Sequence, residues 1–165
     1  MGRRMKLVNR FGQGAYAGLS GGIAIAVFFL VGDLVHLSPL STPLALGYTF
    51  LGPSGTPLDL PVVAQALTVA STGVRLVAFT AIHLAVFTAL GVAAVFLFEL
   101  YGWKLDVGTG ALFGLIACSV VFYASLAFVG SGVVAELPSL WSVATGNLVA
   151  GALIGGQANL LGSVG

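Results

Sequence analysis

The stretch RLVAFTAIHLAVFTALGVAAVFLFE, Arg75 to Glu99, sets twenty-three residues without Asp, Glu, Lys or Arg between two charges, with a single imidazole, His83, among them. At about 1.5 Å of rise per residue this run reaches about 35 Å, enough to cross the hydrocarbon of a bilayer. Three comparable apolar runs lie outside it, at about 11–36, 107–130 and 137–161. Together they predict an all-α polytopic membrane protein, a bundle of four transmembrane helices.

Composition agrees. The 165 residues are 58% hydrophobic and 7% charged, against roughly 25% charged in a soluble domain. Eleven acids and bases could not cover a water-facing surface, so a lipid bilayer is the expected surrounding. The formal net charge of +1 points to no nucleic-acid partner. One cysteine, Cys118, allows no intrachain disulfide, and two histidines without ligand spacing predict no metal site.

Residues 1–10, MGRRMKLVNR, form a basic tail without an acid. Residues 11–165 then make one membrane domain. The run after the tail is too long for an export signal and lacks a small-residue cleavage site, so it reads as a retained first helix. Arg3, Arg4, Lys6, Arg10 and Lys104 fall on one side of the predicted membrane and Arg75 on the other. The positive-inside rule therefore places both termini in the cytoplasm of a cell whose inner membrane holds the protein.

Outer loop 37–74 carries five of the six prolines, which forbid a span there. Thr42-Pro43 predicts a short interfacial helix over 43–51. Asp59 and Pro61 predict a second, ending near Ala70 before either a break or a bend at Ser71-Thr72-Gly73. Small residues recur every fourth position at Gly14, Gly18, Gly22 and Ala26 in the first span, and at Gly151 and Gly155 in the fourth. Such faces let helix backbones approach closely. Ala81, Ala85, Ala89 and Ala93 form one face of the second span; His83, Phe87 and Gly91 form another.

Polar groups inside spans are costly and mark places of interest. Counted from the outer ends of the predicted spans, His83, Tyr123 and Asn147 lie roughly 12–14 Å deep, with Asp33 somewhat above. The expectation is a polar cluster of Asp33, His83, Tyr123 and Asn147 in which His83 meets Asn147. Asp33 has two candidate partners, a salt bridge to Arg75 or a bond to His83. The cluster is either a hydrogen-bonded staple or a small site for an ion, proton, quinone or pigment. No cofactor is predicted: His36 and His83 differ too much in depth to share a haem. A haem or chlorophyll on His83 alone would be crowded by Phe79.

The motifs DLVHLSPLSTPLALG, VAFTAIHLAVF and LPSLWSVATGNLVAGALIGG resemble an uncharacterised family of small four-span bacterial membrane proteins. The matching positions are Asp33, Pro39, Thr42, Pro43, Leu46, Gly47, His83, Trp141, Gly146, Asn147 and Leu148. The resemblance implies a four-helix fold and no activity. With no nucleophile–base pair, phosphate loop or paired carboxylates, an enzyme is not expected. The leading expectation is a structural or accessory subunit that packs through its glycine-rich faces against other membrane subunits or itself, as in a respiratory or photosynthetic complex. The alternative is a carrier or cofactor-binding protein that uses Asp33, His83 and Asn147.

Overall fold

A computed structural model describes residues 2–51, 61–129 and 138–164. All its regular structure is helical: α1 (Gly2–Val35), α2 (Ser41–Leu51), α3 (Pro61–Leu100), α4 (Val107–Phe113), a π-helical turn (Gly114–Cys118), α5 (Ser119–Val129) and α6 (Leu140–Val164). Among the described residues, three helical stretches are long and apolar enough to cross a membrane: Val8–Val35, Val69–Leu100 and Val107–Phe128. The expectation resting on Asp59 falls outside the described residues.

Helix α1 sits between α3 and α6, and α6 in turn sits between α1 and α4. Glycine sets the two tightest crossings. A methyl carbon added at Gly14 would fall 2.6 Å from the Val92 Cα, and one at Gly18 would lie 2.8 Å from the Thr88 Cα and closer still to the Phe87 carbonyl oxygen. On the other side of the bundle, a methyl carbon at Gly114 would come 2.6 Å from the Gly151 Cα, and one at Gly110 would come 2.7 Å from the Gly155 Cα. Both crossings lie inside the chain, so these glycine faces are occupied by its own helices and are not the surfaces that would meet other subunits, contrary to the expectation from sequence. The alanine face of α3 is different: Ala81, Ala85, Ala89 and Ala93 are all exposed on the surface of the chain.

The first helix runs further than the sequence suggested. Helical backbone continues through residues 2–10, so the basic tail extends α1. It ends in a hydrogen-bonded turn in which Leu37 N–H donates to the Leu34 carbonyl and Ser38 N–H to the Asp33 carbonyl. Leu37 takes φ 56° there, the left-handed position that glycine usually fills. The same pattern ends α3, where Gly102 does fill it at φ 66°.

The helix does not break at Ser71-Thr72-Gly73, and among the described residues no separate second interfacial helix precedes it. Helix α3 is continuous over forty residues. Pro61 opens it, where the missing N–H costs nothing. Ser, Thr and a lone Gly inside a long apolar helix weaken it without ending it. Helix α2 lies along this outer part of α3. Phe50 stacks on Phe79 at 6.2 Å between ring centroids, and the Arg75 guanidinium lies 5.3 Å over the Tyr48 ring.

At the opposite end, Arg10 pairs with Glu99 at 3.5 Å and donates to the Gln13 side-chain oxygen at 3.1 Å. The Gln13 amide donates in turn to the Ala158 carbonyl. Side chains of α1 thereby tie α3 and α6 together at the basic end.

Candidate functional site: a cavity between the helices

Between α1, α3, α5 and α6, under α2, lies a cavity of about 440 Å³. It exists because the third helical stretch changes course. Helix α4 and the π turn are pressed onto α6 by the glycine contacts, whereas α5 touches α6 little. A π turn holds one residue more than an α turn, so everything after it is rotated by roughly 100°. That rotation brings Ser119 to face α6, where its hydroxyl accepts from Asn147 Nδ2 at 3.0 Å. Beyond it, Val121, Phe122 and Ser125 form a cavity wall.

Helix α2 closes the outer end with Pro43, Leu46 and Phe50. Asp33 holds this roof in place. Its carboxylate accepts from Ser41 Oγ at 2.9 Å, Thr42 N–H at 2.9 Å and Thr42 Oγ1 at 2.6 Å. The first free N–H of α2 is thus satisfied by a carboxylate of another helix, at the end where the helix dipole favours negative charge. Pro43 follows and has no N–H to satisfy. Asp33 is only 6% exposed, and all three donors come from the α2 start.

Neither expected partner of Asp33 is used. Arg75 makes no ion pair among the described residues, and its buried Nη1 has no hydrogen-bond partner. His83 Nε2 lies 3.1 Å from the Gly22 carbonyl oxygen. Gly22 stands eleven residues before Asp33 on α1, roughly 16 Å lower along the helix. The predicted second span has its outer end at Arg75. Because α3 continues above that point, His83 falls lower against α1, near the middle of its span.

His83 and Asn147 do not meet by hydrogen bonding: one bonds α1, the other α5. They nevertheless stand at similar depth on two walls of the same cavity, since Gly146 packs on Ile25, three residues from Gly22. Tyr123 is outside the cluster, 40% exposed, with its ring edge-on to Phe122 at 5.2 Å. The expected four-residue cluster therefore divides into a helix cap at Asp33, two cavity residues and one peripheral tyrosine.

Around His83 the cavity is aromatic. Phe87 lies 4.8 Å and Phe79 6.0 Å away, centroid to centroid. These rings take the space a flat macrocycle would need, and Nε2 already faces a carbonyl, so the residues do not fit haem or chlorophyll. Among the described residues no three His, Cys, Asp or Glu side chains are grouped to hold a metal ion. Sequence reading missed Thr80, Ser119 and Ser125. Their signal was present: hydroxyls inside apolar spans deserve the same scrutiny as His and Asn.

No family model, curated protein or solved structure matches the chain. The motifs behind the family resemblance therefore carry only their local geometry. Asp33, Thr42 and Pro43 build the α1–α2 corner, and His83 and Asn147 line the cavity beneath it.

Proposed function

We propose that the protein is a non-enzymatic, four-span protein of the cytoplasmic membrane that holds a largely apolar, membrane-soluble molecule between its helices. The observation that carries this reading is the cavity itself. A volume of about 440 Å³, walled by apolar side chains with a few polar groups, has the size and character of a small-molecule site. It lies among helices that lipid surrounds, so an occupant would come from the bilayer.

We count α6 as the fourth span. Its 25 residues reach about 37 Å. It is less apolar than the others because its polar and small residues face protein: Asn147, Gly151, Gly155 and Ala158 are buried. The shared end of α1, α3 and α6, which carries Arg10 and Lys104, is then cytoplasmic, and α2 is an interfacial helix on the outer side. Single cysteines at Ser38 and Tyr101 in a Cys118→Ala background should react with an impermeant maleimide from opposite sides. Reaction from one side only would refute this topology.

Binding itself is tested by solvent extraction and mass spectrometry of the purified protein. A lipophilic molecule should copurify with the wild type and be depleted in Ala26→Trp, which fills the cavity from an exposed position on α1. Equal recovery from both proteins would refute the reading.

A second reading, the accessory subunit, is favoured by the exposed alanine face of α3. Small residues at four-residue spacing suit close packing of a further transmembrane helix. Crosslinking from a cysteine at Ala85 would capture such a neighbour, and lipid-only surroundings would leave the protein monomeric.

A further inference from the structure

The polar groups of the cavity have one property in common, and it concerns hydrogens rather than charge. Thr80 Oγ1 donates to the Leu76 carbonyl at 2.7 Å, and Ser125 Oγ to the Val121 carbonyl at 2.7 Å. Thr42 Oγ1 donates to Asp33. A carbonyl oxygen can only accept, so at the Gly22 contact His83 Nε2 carries the proton. In a neutral imidazole Nδ1 is then a bare lone pair, and among the described residues His83 makes no other hydrogen bond. Asn147 retains an amide hydrogen beyond the one given to Ser119, but it is buried at 2% exposure. Cys118 is likewise buried. What the cavity offers a guest is therefore chiefly acceptors: the Thr42, Thr80 and Ser125 hydroxyl hydrogens are given to the protein, and the remaining amide and thiol hydrogens belong to side chains that are buried.

We propose that the cavity selects a lipophilic molecule whose polar head donates a hydrogen bond: a long-chain or prenyl alcohol, or a hydroquinone. His83 Nδ1 is the principal acceptor, and the Thr80 and Ser125 hydroxyl oxygens assist. A quinone or aldehyde head offers only acceptors and would face the lone pairs of the cavity without a proton between them. A carboxylate would add a charge that no cation in the lining answers, since Arg75 is not part of it. The headless tail of a lipid would leave the acceptors unbonded, which is costly in an apolar setting.

This inference rests on the binding reading above, and one experiment separates the two. Purified protein in nanodiscs is titrated with farnesol, farnesyl methyl ether, farnesal, and a prenylated hydroquinone with its quinone, following each by native mass spectrometry. Farnesol or the hydroquinone should bind about tenfold more tightly than the matching ether, aldehyde or quinone, the scale of one hydrogen bond. Which of the two alcohol classes prevails identifies the source of the head. His83→Phe should reduce that ratio towards one, and Ser125→Ala should reduce it in part. Equal binding of alcohol and ether, or a preference for the aldehyde or quinone, overturns the donor preference while leaving the cavity a binding site. Failure of every probe to bind, with Ala26→Trp behaving as wild type, overturns both.

Discussion

Asp33 and Arg75 lie near the same outer rim with opposite charges, yet each answers to a different helix feature. The carboxylate caps α2 through three donors, while the guanidinium lies over Tyr48 with one buried nitrogen unpartnered. Their substitutions should therefore behave oppositely. Asp33→Ala removes the cap and all three of its hydrogen bonds to the start of α2, so it should destabilise the protein by about 2 kcal/mol. Arg75→Met removes a poorly satisfied group and keeps the apolar stem, so it should be nearly neutral. Denaturation of the two variants in detergent checks this; equal losses would indicate a pair after all. Leu37 is a third residue at this corner, holding φ 56° at 90% exposure. Its side chain makes the left-handed turn harder without visible packing in return.

At the scale of elements, the glycine crossings and the caps do the positioning. Gly18→Leu would drive a side chain into the backbone of α3 at Phe87 and Thr88. It should destabilise the bundle by at least about 2 kcal/mol, seen as a lower unfolding temperature in detergent. An unchanged melt would mean that α1 and α3 do not cross there. The start of α4 offers a pH signature. Asp106 accepts from the Thr109 N–H at 3.0 Å, and Thr109 Oγ1 accepts from the Asp106 N–H at 2.9 Å. The Thr109 N–H, first among the causes, holds the Asp106 carboxyl below its usual value. A carboxyl lowered by folding stabilises above its unfolded pKa, near 4, and that contribution fades as pH falls through the folded value. The difference in stability between wild type and Asp106→Asn should therefore shrink on acidification below about pH 4; a constant difference would exclude the cap as its origin. Sequence periodicity made the helices and the glycine spacing legible. It did not reveal the π turn, because nothing in GALFGLIACS distinguishes a widened turn from a regular one. Nor did it reveal that Asp33 serves α2, since capping across a turn depends on the corner geometry of Leu37 to Leu40.

For the whole molecule, the outer end of α3 is where sequence and structure differ most: the helix begins at Pro61, well above Arg75. Apolar runs mark where lipid can be, but a helix can outlast its apolar run, and Ser71-Thr72-Gly73 resembles a stop. An outer end at Arg75 sets His83 only a little below Asp33, whereas the chain sets them about three turns apart. The shared depth of His83 and Asn147 was legible. The space that separates them was not, because it arises from the divergence of α5 and from the roof of α2.

The length of α3 has a consequence for the membrane itself. Its apolar part, Val69–Leu100, holds 32 residues and extends about 48 Å, well beyond a hydrocarbon thickness of roughly 30 Å. A rigid rod of that length must lean, stretch the nearby lipid, or leave greasy surface in the headgroup layer. Helix α2 shields one side of the excess and leaves Val69, Val74 and Val77 bare. The protein should thus be matched to thick bilayers. Reconstituted into phosphatidylcholines of increasing acyl length, it should gain thermal stability from fourteen-carbon to about twenty-carbon chains. A maximum at the shortest chains would show that α3 stands clear of the lipid instead of being immersed in it.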